Sequence, residues 1–308
     1  MGEDGSPSQI VVGLADGAVI YYNTQSGWRT INNFGKSVTQ LSVQWQEASN
    51  PNIVVGLDNS EVQYYQGSNG VWTQFHDDGW VYPVQQLAVQ WTSHDAQPLV
   101  VVGLGDDNGN NGSVWYYQGS GEQGGWTVLS GLPSGAAIAQ MAVQWNVSSS
   151  PNPPNNVNDL KIVVGQADST VSYYNGNGWT ATPAINSSLQ IPTLNAITVQ
   201  WSANGQPQIT VGLGDPEYDN GQLWYLPNPS QSWQELQGSV NYASPITQID
   251  SSWTESLVPN SQTDNLSYVF FGSDFNDTVN QTGTIGDDVM VGSATGKASW
   301  QGRGMIKF

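Results

Sequence analysis

Residues 84–91 read VQQLAVQW and residues 100–106 read VVVGLGD, and similar segments recur along the whole chain. In most copies a Tyr-Tyr segment and then a Gly-Trp-Thr segment follow. The copies of the first segment are VTQLSVQW (38–45), VQQLAVQW (84–91), IAQMAVQW (138–145), LNAITVQW (194–201) and ITQIDSSW (246–253). A repeat of this length indicates a row of similar small units, none of which can bury its own faces alone.

The spacing of the copies predicts the architecture. Their final tryptophans follow one another at steps of 46, 54, 56 and 52 residues. Each step holds four short segments rich in β-branched and aromatic residues, with Gly, Asn, Asp, Ser and Pro between them. Four antiparallel strands in about 40–50 residues are typical of a β-propeller blade. The sequence therefore predicts an all-β propeller, with residues 1–308 as a single domain and no helix.

The two ends of the chain predict how the ring of blades closes. The N-terminal copy begins with a second strand, IVVGLAD (10–16), and has no first strand before it. The last six residues, RGMIKF (303–308), align with QLAVQW and place Phe308 at the Trp position. We therefore predict six blades, with 303–308 completing the N-terminal blade so that no edge stays open. In the sixth blade the spacing favours DDVMVG (287–292) as the outer strand.

The composition limits the partners. The chain has 25 acidic residues, 6 Lys and Arg, and a net charge of −19, which would repel nucleic acid and anionic membranes. It has no Cys, and therefore no disulfide, no thiolate metal site and no cysteine nucleophile. The polar start predicts no signal peptide, and no apolar run is long enough to cross a membrane. The localisation stays open between the cytoplasm and secretion after signal removal, and the oligomeric state is not predicted.

Catalytic residues are scarce. The two histidines, His76 and His94, lie in separate turn-like segments, and no spacing singles out a pair of carboxylates for glycoside hydrolysis. We therefore expect that the protein is not an enzyme, and a glycan-active enzyme is the third alternative.

An Asp follows the second strand of every copy. We interpret these residues as Asx-turn caps, in which the carboxylate accepts hydrogen bonds from its own turn. The alternative is a ring of carboxylates that holds cations, and calcium suits the enlarged, oxygen-rich turns. The residues are Asp16, Asp58, Asp106, Asp168, Asp215 and Asp274. The metal ligands expected under the alternative are Asp106, Asp107, Asp215 and Asp274, and no other cofactor is expected.

The aromatic residues give the main functional prediction. Trp and Tyr offer a flat apolar face and a polar donor, which suits sugar rings. The inner-strand tryptophans (45, 91, 145, 201 and 253) and one Tyr of each Tyr-Tyr pair are expected to lie in the core between blades. Ligand-binding residues are expected on the outer strands (Trp28, Trp72, Trp126, Trp179 and Trp233) and in loops (Phe34, Trp80, Tyr82, Tyr218 and Tyr242).

Over its full length the sequence resembles the fungal and bacterial fucose-binding six-bladed propeller lectins, in its Ala-Val-Gln-Trp inner strands, Tyr-containing third strands and Gly-Trp fourth strands. The resemblance implies sugar sites between blades, with an Arg from the second strand and a Glu from the third. Here the second-strand positions are Val11, Val54, Val101, Val163 and Thr210, so the Arg and Glu positions are not matched. A weaker likeness, over residues 100–117, is to integrin-type FG-GAP propellers.

Together these features predict a non-enzymatic, lectin-like propeller that binds glycans or glycoproteins through aromatic stacking and neutral polar contacts. The alternative is a protein-interaction or structural propeller without a sugar ligand, which calcium would stabilise.

Overall fold

The computed structural model describes thirteen stretches of the chain. They are residues 9–45, 51–75, 80–91, 97–106, 108–117, 125–145, 160–189, 192–202, 204–215, 220–236, 245–254, 265–273 and 288–293. Every regular element within them is a β-strand, and they contain no helix that could cross a membrane. The predicted all-β class is therefore confirmed for the part of the chain that the structure describes.

The chain divides into two compact units, of which the first comprises residues 1–161 and 176–178. Its first sheet holds three strands, β1 (Gln9–Gly13), β2 (Ala18–Asn23) and β3 (Gly27–Asn33). Its second sheet holds β4 (Val38–Gln44), β5 (Asn52–Leu57), β6 (Val62–Gln66) and β7 (Val71–Phe75). Its third holds β8 (Val84–Gln90), β9 (Leu99–Leu104), β10 (Ser113–Tyr117) and β11 (Trp126–Val128), and β12 (Ile138–Trp145) follows. Neighbouring strands in these three sheets are antiparallel.

The second unit comprises residues 162–175 and 179–308. Its antiparallel strands β13 (Leu160–Gln166), β14 (Val171–Tyr174) and β15 (Trp179–Ala181) are neighbours, the first two residues of β13 being counted in the first unit. An antiparallel sheet follows, with β16 (Thr193–Trp201), β17 (Pro207–Asp215), β18 (Asn220–Leu226) and β19 (Gln234–Glu235). The last sheet holds β20 (Ile246–Thr254), β21 (Asn265–Ser273) and β22 (Asp288–Ser293).

The last sheet departs from the predicted pattern. Strand β22 contains residues 288–292 of the DDVMVG segment and pairs in parallel with β21, directly beside it, with Tyr268 opposite Asp288. The prediction of an antiparallel outer strand is therefore wrong for this segment. A parallel neighbour needs a connection of a dozen or more residues that returns the chain to the end where the first strand began. The 14 residues 274–287 between β21 and β22 are enough for such a connection, so the chain length allows the parallel pairing.

The first sheet agrees with the sequence, since it begins with the second-strand segment and places β1 at its edge. Residues 303–308 lie outside the described residues. Six blades and closure of the ring by the C-terminal strand, like the single domain, therefore stay predictions.

Consecutive sheets within a unit pack closely at the Gly of each Val-Val-Gly segment. A Cβ atom added to Gly56 would lie 2.5 Å from Cγ1 of Val84, the residue that opens the next copy's first strand. The same approach, at 2.4–2.6 Å, recurs at Gly13–Val38, Gly103–Ile138, Gly165–Leu194 and Gly212–Ile246. The repeated Gly therefore leaves room for the side chain that fixes the position of the next sheet.

Hydrogen bonds also join consecutive first strands in the first unit. Gln40 Nε2 donates to the Gln85 carbonyl at 2.9 Å, and Gln86 Nε2 donates to the Ala139 carbonyl at 2.7 Å. The first strands β4, β8 and β12 are thus linked by side-chain amides as well as by packing.

The core of each unit lies between sheets. In the first unit, Val19 of the first sheet packs with Ile53, Val55, Leu57 and Tyr65 of the second sheet. In the second unit a corresponding cluster joins Val163 and Tyr173 to Ile209, Val211 and Trp224. The faces on which these neighbouring sheets meet are therefore apolar, as expected for units that bury each other.

Candidate functional site

Tyrosine and tryptophan side chains pair in a regular way along the copies. The second Tyr of each pair contacts the outer-strand Trp of its own sheet, with ring centroids 5.0–5.4 Å apart: Tyr22–Trp28, Tyr65–Trp72, Tyr117–Trp126 and Tyr174–Trp179. The first Tyr contacts the inner-strand Trp of the next copy at 6.3–6.4 Å: Tyr64–Trp91, Tyr116–Trp145 and Tyr173–Trp201.

Both members of the pairs 64–65, 116–117 and 173–174 are buried. The expectation that one Tyr of each pair lies in the core therefore holds for the first pair, where Tyr21 is buried and Tyr22 is half-buried, and is wrong for these three pairs. The reason is that the two side chains point to opposite faces of a sheet, and each of these faces packs against a neighbour.

Two of the five outer-strand tryptophans are buried. Trp126 lies 4.4 Å from the Trp80 ring and 5.1 Å from the Tyr117 ring. Trp233 donates a hydrogen bond from Nε1 to the Pro183 carbonyl at 2.8 Å. These two rings are packed inside their units, so neither presents an open face to a ligand.

Two further outer-strand tryptophans are half-buried. Trp72 packs between Tyr65 and the edge of Phe34, whose centroid lies 4.9 Å away. Trp179 packs on Tyr174 at 5.4 Å. Part of each ring is accessible, and their predicted role in binding stays a prediction.

Trp28, on β3, is the outer-strand tryptophan with an open ring, since 55% of it is exposed. It lies opposite Tyr22 in the strand register, and Tyr22 lies opposite Ile10, which is 46% exposed. The equivalent row in the second sheet is Ile53, Tyr65 and Trp72, of which Ile53 and Tyr65 are buried. Ile10 and Trp28 are thus exposed in the first sheet, whereas Ile53 and Tyr65 of the equivalent row in the second sheet are buried.

The loop aromatics are distributed differently from the prediction. Trp80 is buried against Trp115 and Trp126, and Tyr82 is half-buried against the same cluster. Phe34 packs on Trp72. The buried position of Trp80 gives it a packing role, because its ring fills the space beside two other indoles. Tyr218 and Tyr242, with His76 and His94, lie outside the described residues.

Among the inner-strand tryptophans whose side chains are described, one does not lie in the core. Trp201 is 9% exposed, as the core prediction requires, and Trp91 and Trp145 are half-buried. Trp45 is 49% exposed, so its prediction as a core residue is wrong. The Tyr that would receive it is Tyr21, and the guanidinium of Arg29 lies over the Tyr21 ring, 4.9 Å from its centroid. The side chain of Trp253 is not described.

Arg29 is a residue that the motif analysis missed. It occupies the third position of the Gly-Trp-Thr segment, where later copies have Thr73, Thr127 and Thr180. This difference from the later copies is visible in the sequence, because Arg29 is a cation where they have a small neutral side chain, and the chain has few cations.

The Asx-turn interpretation is confirmed at three of the recurring aspartates. Asp16 Oδ1 accepts from the Ala18 amide at 3.0 Å, and Asp168 Oδ1 accepts from the Thr170 amide at 3.0 Å. Asp106 Oδ1 accepts from the amides of Asn108 and Asn110 at 3.0 and 2.8 Å. The carboxylates thus cap the turns that join second and third strands.

Asp106 has a further donor, because Asn111 Nδ2 lies 2.7 Å from its Oδ2. The backbone hydrogen bond from Asn110 is the main cause that lowers the pKa of Asp106. Three N–H groups therefore occupy three of the about four lone-pair sites of the carboxylate, which leaves it about one site for a cation. No group of three or more His, Asp or Glu side chains that could hold a metal occurs among the described residues. Asp107 and Asp274 lie outside them, as does the side chain of Asp215, so calcium binding there stays a prediction.

Comparison with known proteins gives similarity at the level of structure. No protein-family model and no curated protein matches the chain. The chain is similar to a variant of the Aleuria aurantia lectin in complex with α-methyl-L-fucoside, with 18% identity, 87% of this chain and 88% of that chain covered, and a TM-score of 0.39. It is also similar to the Dos1 propeller, with 12% identity, 79% and 69% covered, and a TM-score of 0.44. A third structure, BBS1N in complex with ARL6DN, shares 10% identity over 84% of this chain and 71% of that chain, with a TM-score of 0.45. These values establish neither a family nor a function.

Proposed function

We propose that the protein is a non-enzymatic carbohydrate-binding protein that stacks a sugar ring on Trp28. The observation that carries the proposal is the open indole of Trp28, which is 55% exposed while Trp126 and Trp233 at equivalent positions are buried. The Tyr22 ring packs against the Trp28 ring, with centroids 5.0 Å apart and planes tilted by 46°. An exposed indole suits the CH-rich face of a pyranose.

Neutral polar groups lie next to Trp28 in the chain. The turn between β2 and β3 reads Asn23, Thr24, Gln25 and Ser26, and the last three are exposed. Hydroxyl and amide side chains can both donate and accept, as sugar hydroxyls require. This surrounding favours an uncharged polyol over an apolar ligand.

A glycan array followed by titration of Trp28→Ala tests the proposal. We expect the variant to lose affinity for the best glycan by about tenfold or more, because the stacking contact is removed. Val71→Ala is the control, since Val71 is an exposed apolar residue of the edge strand β7 and is not among the predicted ligand-binding residues. Absence of binding to every glycan, or equal affinity of Trp28→Ala and the parent protein, would contradict the proposal.

A second candidate function is protein interaction, which the apolar character of the same surface favours. Ile10 and Trp28 are exposed on one row of the first sheet, and Leu14 is exposed in the turn that follows β1. Ile10→Ser distinguishes the two functions. It should weaken a protein contact over this face but leave stacking of a sugar on Trp28 nearly unchanged.

We also propose that the chain forms six blades and that residues 303–308 supply the first strand that the first sheet lacks. The edge position of β1 supports this proposal, because an uncovered edge exposes unpaired backbone groups. Hydrogen exchange tests it. Deletion of 303–308 should accelerate exchange of β1 amides that face away from β2, and unchanged protection would remove the proposal.

A further inference from the structure

One row of side chains crosses a face of the first sheet. Ile10 lies opposite Tyr22, and Tyr22 lies opposite Trp28, in the registers of β1 with β2 and of β2 with β3. Residues directly opposite each other on antiparallel strands project from the same face. The rings of Tyr22 and Trp28 are in contact, with centroids 5.0 Å apart. The three side chains therefore share one surface, which we call the first-sheet row and define as Ile10, Tyr22 and Trp28.

The first-sheet row faces away from the second sheet. Successive side chains of a strand point to opposite faces, so Val11 lies on the other face from Ile10. Val11 packs against the cluster that joins the first sheet to the second. On the row itself, Ile10 is 46% exposed, Trp28 is 55% exposed, and Tyr22 between them is half-buried. A ligand can therefore contact the row at both ends.

The length and the charge of the row limit the class of ligand. Neighbouring strands lie about 4.8 Å apart, so a row across three strands is about 10 Å long. This is longer than one pyranose ring and close to the length of a disaccharide. The next row of the same face, Val12, Ile20 and Thr30, adds a hydroxyl group and no charge. A charged ligand group would lose water here without gaining a partner of opposite charge, so the two rows favour a neutral chain of sugars.

The relative orientation of the two rings narrows the class further. The planes of Tyr22 and Trp28 are tilted by 46°, so the rings do not form one flat platform. A crystalline polysaccharide surface is flat and requires coplanar rings, whereas a single soluble chain can turn at each glycosidic bond. The tilt therefore favours a soluble oligosaccharide over an insoluble polymer.

We propose that the first-sheet row binds a neutral β-1,4-linked oligosaccharide, with one sugar residue on Trp28 and the next on Tyr22. The proposal rests on the carbohydrate-binding function above and names its ligand class. Equatorial β-1,4 linkages extend the chain and leave the CH-rich faces of consecutive pyranose rings open to stacking. The axial bond of an α-1,4 linkage curves the chain, so its consecutive rings do not follow a straight row. Ile10 continues the apolar surface beyond Tyr22.

Titration calorimetry with methyl β-glucoside, cellobiose, cellotetraose and maltotetraose tests the proposal. We expect the affinity of the parent protein to rise by about tenfold or more from the glucoside to cellotetraose, because a second sugar ring gains a stacking contact. Maltotetraose should bind no more tightly than the glucoside. Equal affinities for the two tetraoses would overturn the inference, because the row would then not distinguish an extended chain from a curved one.

Tyr22→Leu tests the row itself, because it removes the second ring and keeps an apolar side chain. We expect this variant to lose most of the gain in affinity from the glucoside to cellotetraose. Tyr22→Phe keeps the ring and should keep the gain, and a loss in this variant too would contradict stacking as the cause. Melting curves confirm that the variants are folded.

Trp45→Leu is the matched control. Trp45 is an aromatic residue of similar exposure, 49%, that directly follows β4 of the second sheet. Its replacement should leave the gain from the glucoside to cellotetraose unchanged. An equal loss of the gain in Trp45→Leu and Tyr22→Leu would overturn the inference, because the effect would not belong to the first-sheet row.

Two outcomes separate this inference from the proposed function. Binding of sugars that depends on Trp28, but without a gain for cellotetraose, would overturn the inference and leave the proposed function intact. Absence of binding to every glycan would overturn both.

Discussion

Gly17 forms the turn between β1 and β2 with a φ of +90°. A Cβ atom there would lie 2.6 Å from the Lys36 carbonyl oxygen and 2.7 Å from the Gly35 amide nitrogen. Gly27 also has a positive φ, +74°, but an added Cβ would meet no atom within 4 Å. A comparison of Ala substitutions at the two positions therefore distinguishes the cost of backbone strain from the cost of steric collision.

At the residue scale we predict that Gly17→Ala destabilises the protein more than Gly27→Ala does. Gly27→Ala should cost about 1–2 kcal/mol, which is the strain of a left-handed residue. Gly17→Ala should cost about 1–3 kcal/mol more, because backbone atoms have to move away from the methyl group. Urea unfolding measures both, and equal free energies of unfolding for the two variants would contradict the collision at Gly17.

At the residue scale, Asp106 also predicts how the free energy of unfolding depends on pH. Its pKa lies below the usual 3.8, mainly because of the backbone hydrogen bond from Asn110. The stability that it contributes is therefore fully present above the unfolded pKa and is lost as pH falls through the lower, folded pKa. We expect the difference in unfolding free energy between the parent protein and Asp106→Asn to be constant from about pH 5 to 7 and to shrink below about pH 4. Denaturant titrations across this range measure it, and a difference that does not change with pH would contradict it.

At the element scale, the contact between Gly56 and Val84 predicts coupling between consecutive sheets. Gly56→Ala should destabilise by about 1–3 kcal/mol through overpacking, and Val84→Ala by about 2 kcal/mol through the cavity that it leaves. The double variant should be less destabilised than the two single changes predict together, because removing Val84 Cγ1 makes space for the new methyl group. Additive effects in urea unfolding would show that the Gly is not required by packing at this position.

At the scale of the whole molecule, the Asx turns predict that stability does not depend on a bound metal. The oxygens of Asp106 already accept three N–H groups, and Asp16 and Asp168 accept from their own turns. We expect the thermal midpoint to be the same with and without EDTA at constant ionic strength. A lower midpoint in EDTA would show that calcium stabilises the fold and would favour the cation-binding alternative.

The sequence by itself determined the all-β class, the repeating units and the capped turns. These features follow from local chemistry, because strand alternation and Asx turns depend on residues a few positions apart. Only the tertiary structure decided which aromatic rings are open. Trp28 and Trp126 occupy the same place in the motif, as do Trp45 and Trp201, yet one of each pair is exposed and the other is buried. Exposure depends on what covers a side chain, and for Trp45 the structure places Arg29 on the Tyr that would otherwise receive the indole.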